Sequence, residues 1–376
     1  MLLCLVHITR GEFINKFKYS PYLLILLLHH LLRYSHARSI ETPIGIIVAG
    51  FNGINDAFWY TGIAQHGYNF APGGAHANQS SYVFYPLLPQ LIAGVHHLGI
   101  PVVRAGLLVV TIVAFLAAIQ LSRLVSTIFG NRVGYITGLL FVSQLYALSL
   151  VSIMTESLFA LLVFSTLLAW QKKQYGLASV FIVLTCLTKS FGIALVIAIL
   201  ISCALKLKKS EASMRELALP IVACVVAPFI WVTFVGIRFS NLFEYFELQT
   251  QGWGNKFNAG LRFIQFMLDT TFHSGAATTW EIIVVAVAIV TIVLLIWMLT
   301  FDVPIEWKAF VVAAFYLSIA HESWHIADAR FFTSIGIILF PVAVFIARSK
   351  LWLQIVLISA WIIPSLYVSS FATSGF

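Results

Sequence analysis

Apolar residues run along this chain in long blocks, separated by short polar clusters, and the blocks show no alternation of period two. Such blocks predict helices that cross a membrane rather than the strands of a barrel. A spanning helix needs roughly 20 apolar residues, fewer where protein surrounds it. The predicted spans are 20–34, 104–124, 133–152, 156–171, 176–205, 216–238, 280–300, 307–321, 331–347 and 351–371. The fold class read from this pattern is an all-α polytopic membrane protein. It is a single integral membrane domain over residues 1–376, with about 9–11 spans or half-spans.

Composition supports that reading. Of 376 residues, 60% are hydrophobic and 10% charged, against about 25% charged in a soluble domain. The net charge of +8 raises the question of a nucleic-acid partner. None is expected, because the basic residues sit in short clusters between apolar runs, the pattern of cytoplasmic loops. Cys186, Cys203 and Cys224 lie in apolar spans without paired spacing, and with Cys4 they suggest neither a disulfide framework nor a zinc site. Arg10, Lys16 and Lys18 precede "YLLILLLHHLL" without a clean cleavage site after it, so this segment reads as a retained first span.

The basic clusters set the orientation. Arg10, Lys16, Lys18, Arg123, Arg132, Lys172, Lys173, the run Lys206–Arg215, Lys308, Arg348 and Lys350 are expected inside. Lys172–Lys173 and Lys206–Lys209 then demand the same side with one apolar segment between them. A broken or re-entrant pair over 176–205 satisfies both, with its tip at "LTKSFG" and Lys189 lining a cavity near the outer face. An unbroken long helix with Lys189 snorkelling is the alternative. The outer loops then collect Asp56, Glu156, Glu244, Glu247, Asp269, Glu322 and Asp328, with His66, His76, His273, His321 and His325. The first of these loops, 35–103, is too long to be a mere connection. It contains a turn at "APGG" and then "YVFYPLLPQLIAGVHHLG", whose apolar spacing predicts an interfacial helix.

Five stretches carry candidate chemistry. In "INDAFWYTGIAQHGY", Asp56 is a candidate general base; it equally suits the cap of a helix that starts at Ala57 and ends at Gly67. "YVFYPLLP", with Tyr85, sets the start of a helix and a wall. In "SIMTESLFALL", Glu156 stands at an outer helix start, where the helix dipole favours it, and is also a candidate contact for sugar hydroxyls. Lys189 in "LTKSFG" is a lone ammonium in an apolar run, a natural partner for a phosphate ester. In "HESWHIADARFF", Arg330 offers a planar fork for phosphate. The same stretch fits the letters H-E-x-x-H at His321, Glu322 and His325, so a zinc site with Asp328 or a distant third ligand stays open.

In this order, the acidic residue after the first span, "FWYTGIAQHGY", "YVFYPLLP", "TESLFALL", "LTKSFG" and an Arg leading to "FP" resemble the PIG-V-like mannosyltransferases. These are relatives of GPI mannosyltransferase II in the GT-C class of membrane glycosyltransferases. The resemblance spans roughly Asn52 to Pro341. It implies a GT-C-type transmembrane helix bundle that moves a mannosyl-type sugar from a polyprenyl-phosphate donor to an acceptor hydroxyl, with inversion. It implies Asp56 as catalytic base, and Lys189 and Arg330 at the donor phosphate. Trp59, Tyr60, His66, Tyr68, Tyr85, Glu156 and Trp253 are the expected substrate contacts. The expected partners are the polyprenyl-phosphate sugar, a glycan or glycolipid acceptor and membrane lipid, with no cofactor and no metal. The expected location is a multi-pass membrane protein with its site outside the cytoplasm: the plasma membrane of a bacterium or the endoplasmic reticulum of a eukaryote. The chain departs from the family at Asn55, where the family has Trp, at Lys189, where it has Arg, and at Phe84–Pro89, where it has an "FFPLYP"-like run. Two other readings remain: the membrane zinc hydrolase, and a lipid or ion transporter, against which stands the lack of a second broken segment.

Overall fold

A computed structural model describes residues 18–39, 56–71, 78–272, 277–322 and 328–371. Arg10, Lys16, Asn55, His76, His273 and His325 therefore lie outside the described residues, as do most of the "APGG" turn and parts of the first loop.

Among the described residues the chain is helical throughout, with no strand. The helices are α1 (Ser20–Ser39), α2 (Asp56–His66), α3 (Leu87–His96), α4 (Val102–Val142), α5 (Leu148–Val151), α6 (Glu156–Gln171), α7 (Tyr175–Cys186), α8 (Gly192–Lys208), α9 (Met214–Phe239), α10 (Glu244–Trp253), α11 (Leu261–Phe272), α12 (Thr279–Leu299), α13 (Ile305–Ile319), α14 (Asp328–Thr333), α15 (Phe340–Arg348) and α16 (Leu351–Phe371). Four of them carry segments long and apolar enough to cross a membrane, Val102–Val142, Met214–Phe239, Thr279–Leu299 and Leu351–Ser370. With the shorter apolar helices packed among them, the chain is a multi-pass integral membrane protein.

α4 is two helices in sequence. Gly130, at φ 82 and ψ 164, stands outside helical geometry and reverses the chain; this backbone region is open to glycine and closed to residues with a Cβ. The second half stops at Val142, ten residues before the predicted end at 152. Ser143, Ser149 and Ser152 sit in that stretch and return their hydroxyls to the carbonyls of Leu139, Tyr146 and Leu148. Such local bonds compete with a continuing helix, and only the single turn α5 forms before α6. The predicted span 331–347 is likewise divided, into α14, a 3₁₀ turn over Gly336–Leu339, and α15 with Pro341 in its first turn.

The helical backbone is interrupted between α7 and α8 at residues 187–191. Gly192 backs onto the Cys186 backbone with no room for a Cβ, which lets the two helix ends close up. The start of α3 is tied to the same break, Leu87 N–H donating to Leu187 O at 3.1 Å. α3 itself buries Leu88 and Ile92 completely, so the helix expected to lie along the interface packs against α2 and α4.

These connections give the bundle two unlike ends. One holds the turn at Gly130 and the basic loops: Thr127 donates to Gln171 at 2.8 Å and Arg132 to Gln354 at 2.9 Å. α6 runs from Glu156 down to that end, and α7 and α8 run up to the break and back to Lys208. Glu156 and the 187–191 break therefore meet at the opposite end, away from Lys172, Lys173, Lys206 and Lys208.

Candidate active site

Four charged side chains from four separate elements converge at that opposite end. Asp56 opens α2, and Gly67, at φ 73, terminates that helix with its N–H on Ile63 O. Glu156 opens α6 after Thr155. Both carboxylates stand in a helix's first turn, where the dipole favours negative charge. Lys189 lies in the break between α7 and α8, and Arg330 lies on the short helix α14.

Arg330 Nη1 donates to Asp56 Oδ2 at 2.6 Å, and Lys189 Nζ donates to Glu156 Oε1 at 2.8 Å. Arg330 Nε stands 3.8 Å from the same Glu156 oxygen, which joins the two pairs into one cluster. The side-chain exposures are 1% for Glu156, 11% for Lys189, 17% for Arg330 and 24% for Asp56. The cluster is thus most open to solvent at Asp56 and closed at Glu156.

Charges held in such surroundings must be matched. Burial alone draws the Arg330 guanidinium down, but the Asp56 and Glu156 carboxylates outweigh it and hold its pKa above the ordinary arginine value. Aromatic faces add to the match: Lys189 Nζ lies 4.2 Å from the Phe331 ring centre and 5.0 Å from that of Phe191, and Arg330 Cζ lies 4.9 Å from Phe331. The Met154 sulfur accepts from Arg330 Nη1 at 3.6 Å. Even so, Glu156 Oε2 and Arg330 Nε are buried with no hydrogen-bond partner among the described residues.

The structure therefore brings Asp56, Glu156, Lys189 and Arg330 together, with Tyr60 beside them. The Tyr60 side chain is buried near Thr155, Asp56 and Glu156. The other predicted substrate contacts are placed differently. Trp59, 1% exposed, is packed among Phe84, Trp253 and Phe70. Tyr68 lies against Trp231 and Tyr82 and donates to Phe84 O. Tyr85 is buried against Trp231 and Tyr245. His66 is exposed and stacks on Phe70. These rings form the wall on which α2, α3 and α10 rest. Residues not singled out in the sequence are Phe191, Phe331 and Met154. The signal for the first two was present: each is an aromatic one or two positions after a site cation.

Of the H-E-x-x-H letters only His321 and Glu322 lie among the described residues, and His325 lies outside them. That motif works on one helix face, but α13 ends at Ile319, and His321 forms an isolated bridge with Phe257. Glu322 is drawn to the surface by Arg262, at 3.3 Å. Among the described residues no group of three or more His, Cys, Asp or Glu side chains is arranged to hold a metal ion.

No protein-family model matches the chain, and no curated protein matches it. Solved structures do. ArnT from Cupriavidus metallidurans bound to undecaprenyl phosphate is similar with a TM-score of 0.54 at 15% identity, covering 82% of this chain and 59% of that one. Its apo state gives a TM-score of 0.52 at 14% identity with the same coverage. The apo oligosaccharyltransferase of Archaeoglobus fulgidus gives 0.52 at 14% identity, covering 97% of this chain and 57% of that one. The chain thus spans under two thirds of the length of these neighbours. At such identities the likeness is one of fold, and the fold is that of the GT-C membrane glycosyltransferases.

Proposed function

We propose that this protein is a membrane glycosyltransferase that moves a sugar from a polyprenyl-phosphate carrier to an acceptor hydroxyl. The observation that carries this reading is the convergence of a part-exposed carboxylate, Asp56, with two largely buried cations, Lys189 and Arg330, at one end of a GT-C-type bundle. The chemistry of each group fits. A hydroxyl attacking a sugar C1 must lose its proton, and Asp56 is the most exposed member of the cluster and the one able to take it. The leaving phosphate gains charge, and fixed cations in a water-poor site stabilise it strongly. A fold neighbour binds a lipid of this chemical class, undecaprenyl phosphate.

In the proposed reaction the acceptor enters on the Asp56 side. Its oxygen bonds to C1 from the face opposite the carrier, and the C1–O bond to phosphate breaks, which inverts the anomeric centre. Lys189 and Arg330 hold the phosphate, and Glu156 keeps Lys189 in place. The resemblance to PIG-V-like enzymes points to a mannosyl-type donor, a glycan or glycolipid acceptor, and a site on the side away from the basic loops. That side is the outside of a bacterial plasma membrane or the lumen of the endoplasmic reticulum.

The test is transfer from a radiolabelled polyprenyl-phosphate mannose to glycolipid acceptors by the purified protein in lipid nanodiscs. Asp56→Asn is expected to lower the rate by at least about 100-fold. Near-full activity in that variant removes the base assignment.

A further inference from the structure

The four charges of the cluster cancel: Asp56 and Glu156 against Lys189 and Arg330. The donor of the proposed reaction is a phosphate diester with one negative charge. Its lipid product is a monoester, which carries up to two near neutral pH. A neutral cluster is therefore matched to neither, and the mismatch grows as the reaction proceeds. The cation best shaped for phosphate, the Arg330 fork, is meanwhile occupied by Asp56 at 2.6 Å.

We propose that the Asp56–Arg330 ion pair is a proton-coupled charge switch, in which Asp56 gives up Arg330 to the lipid phosphate when it accepts the acceptor's proton. The inference rests on the glycosyltransferase reading above and adds to it a reason for pairing the base with a phosphate cation. The balance is complete. The acceptor O–H bond breaks and its proton goes to Asp56. The acceptor oxygen bonds to C1, and the C1–O electron pair leaves on the phosphate oxygen. The protein cluster gains one positive charge in the same step in which the phosphate gains one negative charge. Protonation weakens the Asp56 hold on Arg330 by removing the carboxylate charge. Lys189 does not change partner, because Glu156 has no exposure through which to exchange a proton with water.

The groups that face Asp56 support this role. Arg330 contacts it directly, Lys189 and Glu156 lie behind, and the buried Tyr60 is beside it. No second cation touches Asp56 among the described contacts, so loss of its charge acts on Arg330 first. Arg330 Nε, 3.8 Å from Glu156 Oε1, makes no hydrogen bond among the described residues.

Binding measurements without turnover test the switch. Undecaprenyl monophosphate and a non-cleavable diester analogue are titrated against the full-length protein in phosphatidylcholine nanodiscs, for wild type, Asp56→Asn, Arg330→Gln and the double variant. Asp56→Asn imitates the protonated base. It is expected to tighten monophosphate binding by about tenfold, and diester binding by about twofold or less. In the Arg330→Gln background the same change is expected to have no such effect. Asp56→Ala is read in the same way, and thermal unfolding of each variant identifies any that fail to fold. If Asp56→Asn abolishes transfer but leaves monophosphate affinity unchanged or weaker, the switch is overturned and the glycosyltransferase reading stands. If wild type binds neither lipid and transfers no sugar, both fall together.

Discussion

Two ends of the same pair of helices invite comparison. At one end, Glu156 opens α6 and meets Lys189 just before α8. At the other, Trp170 near the end of α6 donates to Ser202 of α8 at 3.0 Å, and Ser202 donates at 3.0 Å to Glu306, which stands in the first turn of α13. Both glutamates are buried, 1% and 6% exposed, and both sit at a helix start. Yet Glu306 is met by one neutral donor, the Ser202 hydroxyl, whereas Glu156 is met by two cations and keeps one oxygen without a hydrogen-bond partner. The first arrangement joins three helices through neutral donors alone. The second is overcharged for joining helices. The difference separates a carboxylate that fastens the bundle from one held in a charged cluster, although sequence and burial make the two look alike.

The sharpest way to break this comparison is to neutralise each glutamate. Glu156→Gln strips the countercharge from two cations, and is expected to lower transfer by at least about 100-fold and stability by about 3 kcal/mol. Both are read in nanodiscs, from label transfer and thermal unfolding. The double variant Glu156→Gln/Lys189→Gln removes the uncompensated charge. It is expected to recover most of that stability and none of the activity; recovery of both would make the pair structural. Lys189→Arg keeps the charge and supplies the residue found in the resembled family, so a loss of no more than about tenfold is expected, seen mainly in the apparent affinity for donor. Glu306→Gln is expected to do least: a stability change of about 1 kcal/mol and unaltered transfer. A large loss of transfer there would erase the distinction.

The charged members of the candidate site are legible in the sequence for a physical reason. In a chain this apolar, a Lys, Arg, Asp or Glu near a span is costly and stands out. Asp56, Glu156, Lys189 and Arg330 were each visible for that reason. Their pairing was not, because Asp56 and Arg330 are 274 positions apart and no local pattern connects them. The aromatic residues were harder. Trp59, Tyr68 and Tyr85 read as flat faces for sugar or prenyl chain, but periodicity cannot separate a ring that lines a cavity from one that stacks on its neighbours. The helix ends suffered similarly. The apolar run through 152 hid the serines that stop the helix at Val142. In "HESWH" the letters carried no sign that the helix ends before them. The all-α membrane fold, by contrast, follows from the length of the apolar blocks alone and holds in the structure.

The cancelled charge of the resting cluster has a further consequence for the company the protein keeps. A bilayer surrounds it with anionic phospholipids, whose diester headgroups far outnumber any carrier. A pocket with surplus positive charge would be crowded by them at all times. With Asp56 and Glu156 holding both cations, the idle site offers such headgroups little, and on the proposed switch its full attraction is drawn out only when an acceptor delivers its proton to Asp56. Selectivity against the surrounding lipid is then a property of timing rather than of shape.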